Sequence, residues 1–288
     1  MDAIHEVVLG VLKLTSTDGI TLYMLMGVTL ASEFVNTVIL TGAVENTNPV
    51  SAMLIANPEQ GKTSIVLEKS GEQVIPITDV TGKGLYFLCQ MKPDATHFII
   101  NDMGIVMAHG NKTREYFFGM LLAMTEEGIK TTASPDGIQN IKMGKKGIIG
   151  CITSDQASDN RAWWQRRGLA RRLIPFHYMY SQQLVVNIKN NIMSGEHRSF
   201  VEPNTAYPKV KIHVILDRIV ADKIRQISDR KAGQLGQLGI SLLLRYQGLA
   251  KAHALYRSWK NAKVLDDDVD FLLRIDSFVD WTTPGLFL

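Results

Sequence analysis

The chain has 288 residues, 45% of them hydrophobic and 20% charged, with a formal net charge of +3. This is the composition of an ordinary globular protein long enough for two packed units, and its mild positive excess permits a polyanionic partner without demanding one. Cys89 and Cys151 are too few for a disulfide framework or a four-thiolate metal site, both lie in apolar runs, and the scattered histidines meet no metal-ligand spacing.

Residues 1–45 read as an N-terminal helical segment. Leu9, Val11, Leu12 and Leu14 cluster, Ser16 to Gly19 is a turn or cap signal, and a long apolar stretch runs from Ile20 to Leu40. Glu33 and Asn36 interrupt that stretch and no basic region precedes it. It is expected to be a buried helical segment rather than a membrane span or signal peptide, in a protein of the cytoplasm.

The stretch Ile-Ala-Asn-Pro-Glu-Gln-Gly-Lys-Thr-Ser, residues 55–64, carries the clearest chemistry. It nearly matches the phosphate-binding pattern G-x-x-x-x-G-K-[ST], with Ala56 in place of the first glycine. In such a loop backbone N–H groups point at phosphate oxygens, the next helix offers its positive end, Lys62 adds a point charge and the Thr63 hydroxyl can hold Mg²⁺. Ala52 to Ile55 reads as the buried strand before it, and Ser64 to Glu68 can open the helix after it.

Glu72 to Thr78 is a plausible strand whose Pro76 favours an edge or an end, and Thr81 to Leu85 is loop-like. His97 to Asp102 is a second apolar strand ending in an acid, which suits Asp102 to Mg²⁺ orientation beside the loop, or to capping the next turn. Met103 follows it, where a glutamate usually polarises the attacking water. Lys112 to Gly128 shows a helical apolar face and a glycine stop. Residues 129–146 form a β-hairpin around Ser134-Pro135-Asp136-Gly137, with Lys142, Lys145 and Lys146 on its returning arm. Gly147 to Ile152 is another core strand, ending at Thr153-Ser154. The arginines and tryptophans between Arg161 and Tyr180 suit either nucleic-acid stacking or a subunit contact. A polar connection from Asn187 to Lys211 leads to helices over Val214–Ser228, Ile240–Trp259 and from Asp266 onwards.

This order of motifs resembles the AAA+ ATPases, within them the group with a hairpin inserted before the sensor-1 strand, such as the minichromosome maintenance helicases and the MoxR-like ATPases. The resemblance covers roughly residues 45–275 and implies an α/β P-loop NTPase fold. A three-layer αβα core would span residues 46–195, and a C-terminal helical lid domain residues 196–288. It implies that Pro58, Glu59, Gln60, Gly61, Lys62, Thr63 and Ser64 bind ATP, that Thr63 and Asp102 hold Mg²⁺, and that Thr153 or Ser154 acts as sensor 1. Gly168 to Arg172 resembles the stretch whose arginine reaches a neighbour's nucleotide, so Arg171 would be catalytic with Lys62 and Asp102. The sensor-2 arginine would fall near Ser241, with Arg245 one turn later as its replacement. Lys142, Lys145 and Lys146 would touch DNA in the channel of a homo-oligomeric, hexameric ring.

Three functions follow from this: a DNA motor or replication factor driven by ATP, a MoxR-like remodeller of a protein partner, and a nucleotide-binding assembly switch with little hydrolysis. The last is motivated by Met103 and Ser241.

Overall fold

The computed structural model describes residues 29–134, 137–194, 207–235, 239–259 and 262–281. The expected helical features within residues 1–28 and the tip of the hairpin at 135–136 lie outside them.

Five short apolar runs pair as one wholly parallel sheet. They are β1 (Ser51–Ile55), β2 (Val74–Ile77), β3 (His97–Ile100), β6 (Gly147–Ile152) and β7 (Leu173–His177), in the order β2-β3-β6-β1-β7. Both prolines of the sheet, Pro76 and Pro175, fall on its two edge strands, where a missing N–H costs no ladder bond. Strand β7 was not apparent from sequence, where it merged into the arginine-rich segment.

Alternate residues of each strand enter different cores, because side chains of a strand point to opposite faces. Ala52, Leu54, Ile149, Cys151, Ile174 and Phe176 belong to one core; Met53, Ile55, Ile148, Ile152 and Leu173 belong to the other. The first face is covered by α1 (Thr29–Leu40), α2 (Lys62–Leu67), α8 (Arg218–Leu235), α9 (Ile240–Arg257) and α10 (Asp266–Asp276). The second is covered by α3 (Gly82–Met91), α4 (Met103–Ala108), α5 (Asn111–Glu126) and α6 (Ser154–Arg166). The result is a three-layer α/β architecture, and the C-terminal helices share one continuous core with α1 and the sheet.

Part of the Ile20–Leu40 stretch is therefore a core helix: Phe34 is fully buried and stacks on Phe176 at 4.5 Å. No helix among the described residues is long and apolar enough to cross a membrane. The hairpin forms from β4 (Ile129–Ser134) and β5 (Gly137–Met143), which make a separate two-stranded sheet between α5 and β6.

One expected loop is a helix. Residues 82–85 begin α3, because the Thr81 hydroxyl accepts the Gly84 N–H at 3.1 Å and caps it. Gly82 is needed there for space, since a Cβ would lie 2.9 Å from the Phe117 backbone nitrogen. A further helix, α7 (Gln182–Met193), occupies part of the expected connection after β7. The tryptophans of α6 are packed inward. Trp164 is fully buried, and Trp163 lies edge-on to Phe118 at 5.0 Å, with the guanidinium groups of Arg114 and Arg167 over its ring.

Candidate functional site

Because all five strands run the same way, the residues that follow them gather at one edge, the carboxyl edge, where open α/β sheets bind ligands. The phosphate-loop motif leaves β1 there, Asn101 and Asp102 leave β3, Thr153 and Ser154 leave β6, and Tyr178 and Tyr180 follow β7. Strand β6 lies between β1 and β3. Its register pairs Ile55 with Ile152 and Ile100 with Gly150, so Asp102 comes level with the ends of β1 and β6.

The loop itself is shaped by specific backbone geometry. Gly61 has φ 67° and sits in the left-handed region just before α2, where a Cβ would lie 2.3 Å from the Tyr180 hydroxyl oxygen. Glu59 also has a positive φ, 64°, which a non-glycine residue adopts only at a cost of about 1–2 kcal/mol. Something must repay that strain. The Tyr178 hydroxyl donates to the Gln60 carbonyl at 2.7 Å, and the Ile65 N–H closes on the Gly61 carbonyl at 2.9 Å. The first amides of α2 then have no intrahelical acceptor, as at any helix start, and an anion can accept from them.

The Lys62 ammonium donates to the carbonyls of Ala56 and Asn57, both at 2.8 Å, and so lies against the start of its own loop. Burial lowers its pKa below the ordinary lysine value, opposed by Cys151 and by the Asp102 carboxylate. Asp102 is thus within electrostatic reach of Lys62. One of its oxygens caps α4 by accepting the Gly104 N–H at 2.7 Å, which leaves the other for a second partner. Capping and metal orientation are compatible here. Met103 is fully buried, so no carboxylate follows Asp102 at this edge.

Thr153 is the cap of α6, accepting the Gln156 N–H at 3.4 Å while its own hydroxyl donates to the Gln156 side-chain oxygen at 3.0 Å. The Ser154 hydroxyl lies 3.0 Å from Nε2 of His177 at the end of β7. Burial holds His177 below the usual histidine value, with Asp280 opposing. Of the loop residues, Pro58, Glu59, Thr63 and Ser64 are exposed and Gln60 is half-buried. Thr63 and Asp102 are both exposed at this edge, and a magnesium ion, which ordinarily takes one or two protein ligands and completes its shell with phosphate and water, would draw on them. No cluster of three or more His, Cys, Asp or Glu residues suited to a metal occurs among the described residues.

Two sequence expectations are corrected. Arg245 does not come to this loop. It lines a cavity of about 420 Å³ with Arg172, Glu126 and Ser241, beside Val50 and Ser51 at the start of β1. The reason is that this stretch of α9 lies along the opposite, amino edge of the sheet. Burial there lowers the Arg245 pKa to about 10, against the field of Glu126.

Lys146 is the second correction. Only 6% exposed, it buries its ammonium between the carbonyls of Pro93 and Ala95, so it closes the turn before β3 instead of facing DNA. Lys145 is half-buried at the base of the hairpin, and Lys142 lies on β5, where only the backbone is described.

Arg171 is exposed just before β7, also at the amino edge, and makes no ion pair among the described residues. Its neighbour Arg172 is engaged, with Glu126 at 2.5 Å. A five-residue strand at about 3.3 Å per residue separates the two edges by about 17 Å, too far for Arg171 to touch its own loop.

Tyr178, Tyr180, Gln156 and His177 were not picked out from sequence. The i, i+2 spacing of the two tyrosines after a strand was the available signal, obscured because β7 itself was not recognised. Comparison with known protein families and with curated proteins gives no match to this chain.

Proposed function

We infer a nucleoside-triphosphate-binding protein of the P-loop class, and within it we propose an AAA+-type ATPase that assembles as a ring and acts on DNA. The observation that carries this is the carboxyl edge itself. There the Gly61–Lys62 turn, Asp102 in the electrostatic field of Lys62, and Thr153 and Ser154 directly after the intervening strand lie along one edge of the sheet, which supports a shared ligand site. The hairpin inserted before β6 and the exposed Arg171 at the far edge favour the AAA+ assignment over a generic P-loop protein.

In this proposal Lys62 exchanges its carbonyl partners for phosphate oxygens, and the Thr63 hydroxyl and the open oxygen of Asp102 hold the metal. Magnesium, when bound, neutralises charge between the β- and γ-phosphates. Ser154, whose hydroxyl lies against His177, is the hydroxyl that would face the terminal phosphate, while Thr153 is spent on capping α6 and positions Ser154 beside it. Arg171 completes the site of a neighbouring subunit, since it cannot reach its own.

The buried Met103 favours a second reading, a nucleotide-dependent assembly switch with little turnover. One calorimetric and kinetic series separates the possibilities. Mg-ATP is expected to bind the full chain, and Lys62→Ala to weaken binding at least tenfold. Equal affinity of the two proteins would end the nucleotide assignment altogether. Multiple-turnover hydrolysis lost in Lys62→Ala selects the ATPase, and binding without turnover selects the switch.

A further inference from the structure

At the amino edge, beneath the base of the hairpin, the turn before β3 and the chain around Pro208 to Lys211 enclose an open recess of about 680 Å³. Five lysines line it: Lys92, Lys145, Lys146, Lys209 and Lys211. Against them stand two acids, Glu72 and Asp94. Like charges gathered in one concavity repel and need an internal reason or an external ligand.

Two of the five have an internal reason. Lys146 is spent on the Pro93 and Ala95 carbonyls, and Lys211 donates to the Gly42 carbonyl at 2.6 Å. Lys209 meets Glu72 at 2.7 Å, but both side chains are 74% exposed, so a phosphate can displace that contact. Among the described residues Lys92 and Lys145 make no ion pair or side-chain hydrogen bond, and Lys92 feels only the field of the exposed Glu72. These three lysines are therefore the available cations, and they surround a wall that also exposes Met91 and Val210, 75% and 69% accessible.

We propose that this recess binds the phosphodiester backbone of single-stranded nucleic acid, with Lys92, Lys145 and Lys209 on successive phosphates and Met91 and Val210 against the sugars. Lysines act as point charges and the wall carries no aromatic side chain, so the contact reads no sequence. The proposal rests on nucleic acid being the substrate. It moves the main contact from the returning arm of the hairpin to the hairpin's base, and it is independent of the nucleotide site on the other edge.

The test is fluorescence anisotropy of a labelled oligothymidylate titrated with the full chain over a series of salt concentrations, for wild type, Lys92→Glu, Lys145→Glu and Lys62→Ala. Wild type is expected to bind with a strong salt dependence. Each charge reversal should weaken binding at least tenfold at low salt, and should lower the slope of log K against log salt by about 0.7, the amount for one phosphate on a single strand. Lys92→Arg and Lys145→Arg should retain binding, and unchanged melting temperatures exclude misfolding as the cause. Lys62→Ala should bind the oligonucleotide as wild type does, which separates failure of this proposal from failure of the nucleotide assignment. Oligothymidylate affinity indifferent to reversal at Lys92 and Lys145, or a polyglutamate peptide bound more tightly than the oligonucleotide through the same lysines, overturns the proposal.

Discussion

Glu59 and Gly61 hold the same left-handed backbone two residues apart, yet only Gly61 does so without a steric penalty. Replacing Gly61 by alanine adds both that penalty and a Cβ 2.3 Å from the Tyr180 hydroxyl. Gly61→Ala is expected to destabilise the protein by about 1–2 kcal/mol and to abolish measurable nucleotide binding. Thermal melting and an ATP titration check it. A variant that melts and binds like wild type would show that the loop does not depend on this geometry. The Tyr178 contact to Gln60 works the other way, stiffening the loop in advance so that less ordering is left for a ligand to impose.

At the scale of elements, the helical layer is joined by a buried charge cluster that no local pattern announces. His253 on α9 lies 2.7 Å from Asp268 on α10 and 3.0 Å from Glu33 on α1, and its ring stacks on Phe271 at 4.3 Å. Burial opposes the charge on His253, but hydrogen bonds to the two carboxylates prevail and raise its pKa above the usual 6.5. Burial likewise opposes the charges on Glu33 and Asp268, and their hydrogen bonds lower both pKa values.

The signs follow from linkage. The histidine's contribution is complete below about pH 6.5 and fades as pH rises through its higher folded value. The carboxylates' contribution is complete above their ordinary range, near pH 4.5, and is lost as pH falls through their lower folded values. His97 has the opposite sign to His253. Buried and held down to about 4, it stays neutral in the fold and costs stability as pH falls below 6.5. His177, also held down by burial, acts in the same direction as His97, so the wild-type curve alone mixes at least three histidines. The difference in melting temperature between wild type and His253→Gln isolates one: it should be largest between pH 5 and 6 and shrink toward pH 9. A difference that stays flat across that range would mean His253 is uncharged in the fold.

The same contrast between local and distant explains what the sequence revealed. β1, β3 and β6 were legible because continuous apolar runs mark strands buried on both faces, and the phosphate loop because its spacing is local. The start of α3 was not, since two glycines there read as a loop until Thr81 and the packing of Gly82 on Phe117 are seen. Lys146 and Arg245 were misassigned for one reason. Charged residues at plausible spacings were given an external ligand, whereas the fold supplies Pro93 and Ala95 carbonyls to one and a place at the amino edge to the other.

For the whole molecule, the decisive feature is that its two sets of charged groups lie on opposite edges of the sheet. Lys62 and Asp102 are at the carboxyl edge, and Arg171 and the lysine recess are at the amino edge. If Arg171 serves a neighbour, Lys62→Ala and Arg171→Ala should each be inactive alone, and a mixture of the two should recover a fraction of wild-type ATPase. In the mixture some interfaces pair an intact loop with an intact arginine. A mixture no more active than its components would put Arg171 outside the site.

Cys151 and Cys89 are buried on opposite faces of the same sheet, and burial pushes their thiols up to about 12 and about 11. Alkylation needs a thiolate in contact with solvent, which neither offers while its layer stays closed. The two sulfurs are thus a pair of chemical clocks, one timing how often the layer that carries the phosphate-loop helix breathes and the other timing the far side. With iodoacetamide under native conditions, saturating Mg-ATP should slow labelling of Cys151 more than that of Cys89, as peptide mapping can read directly.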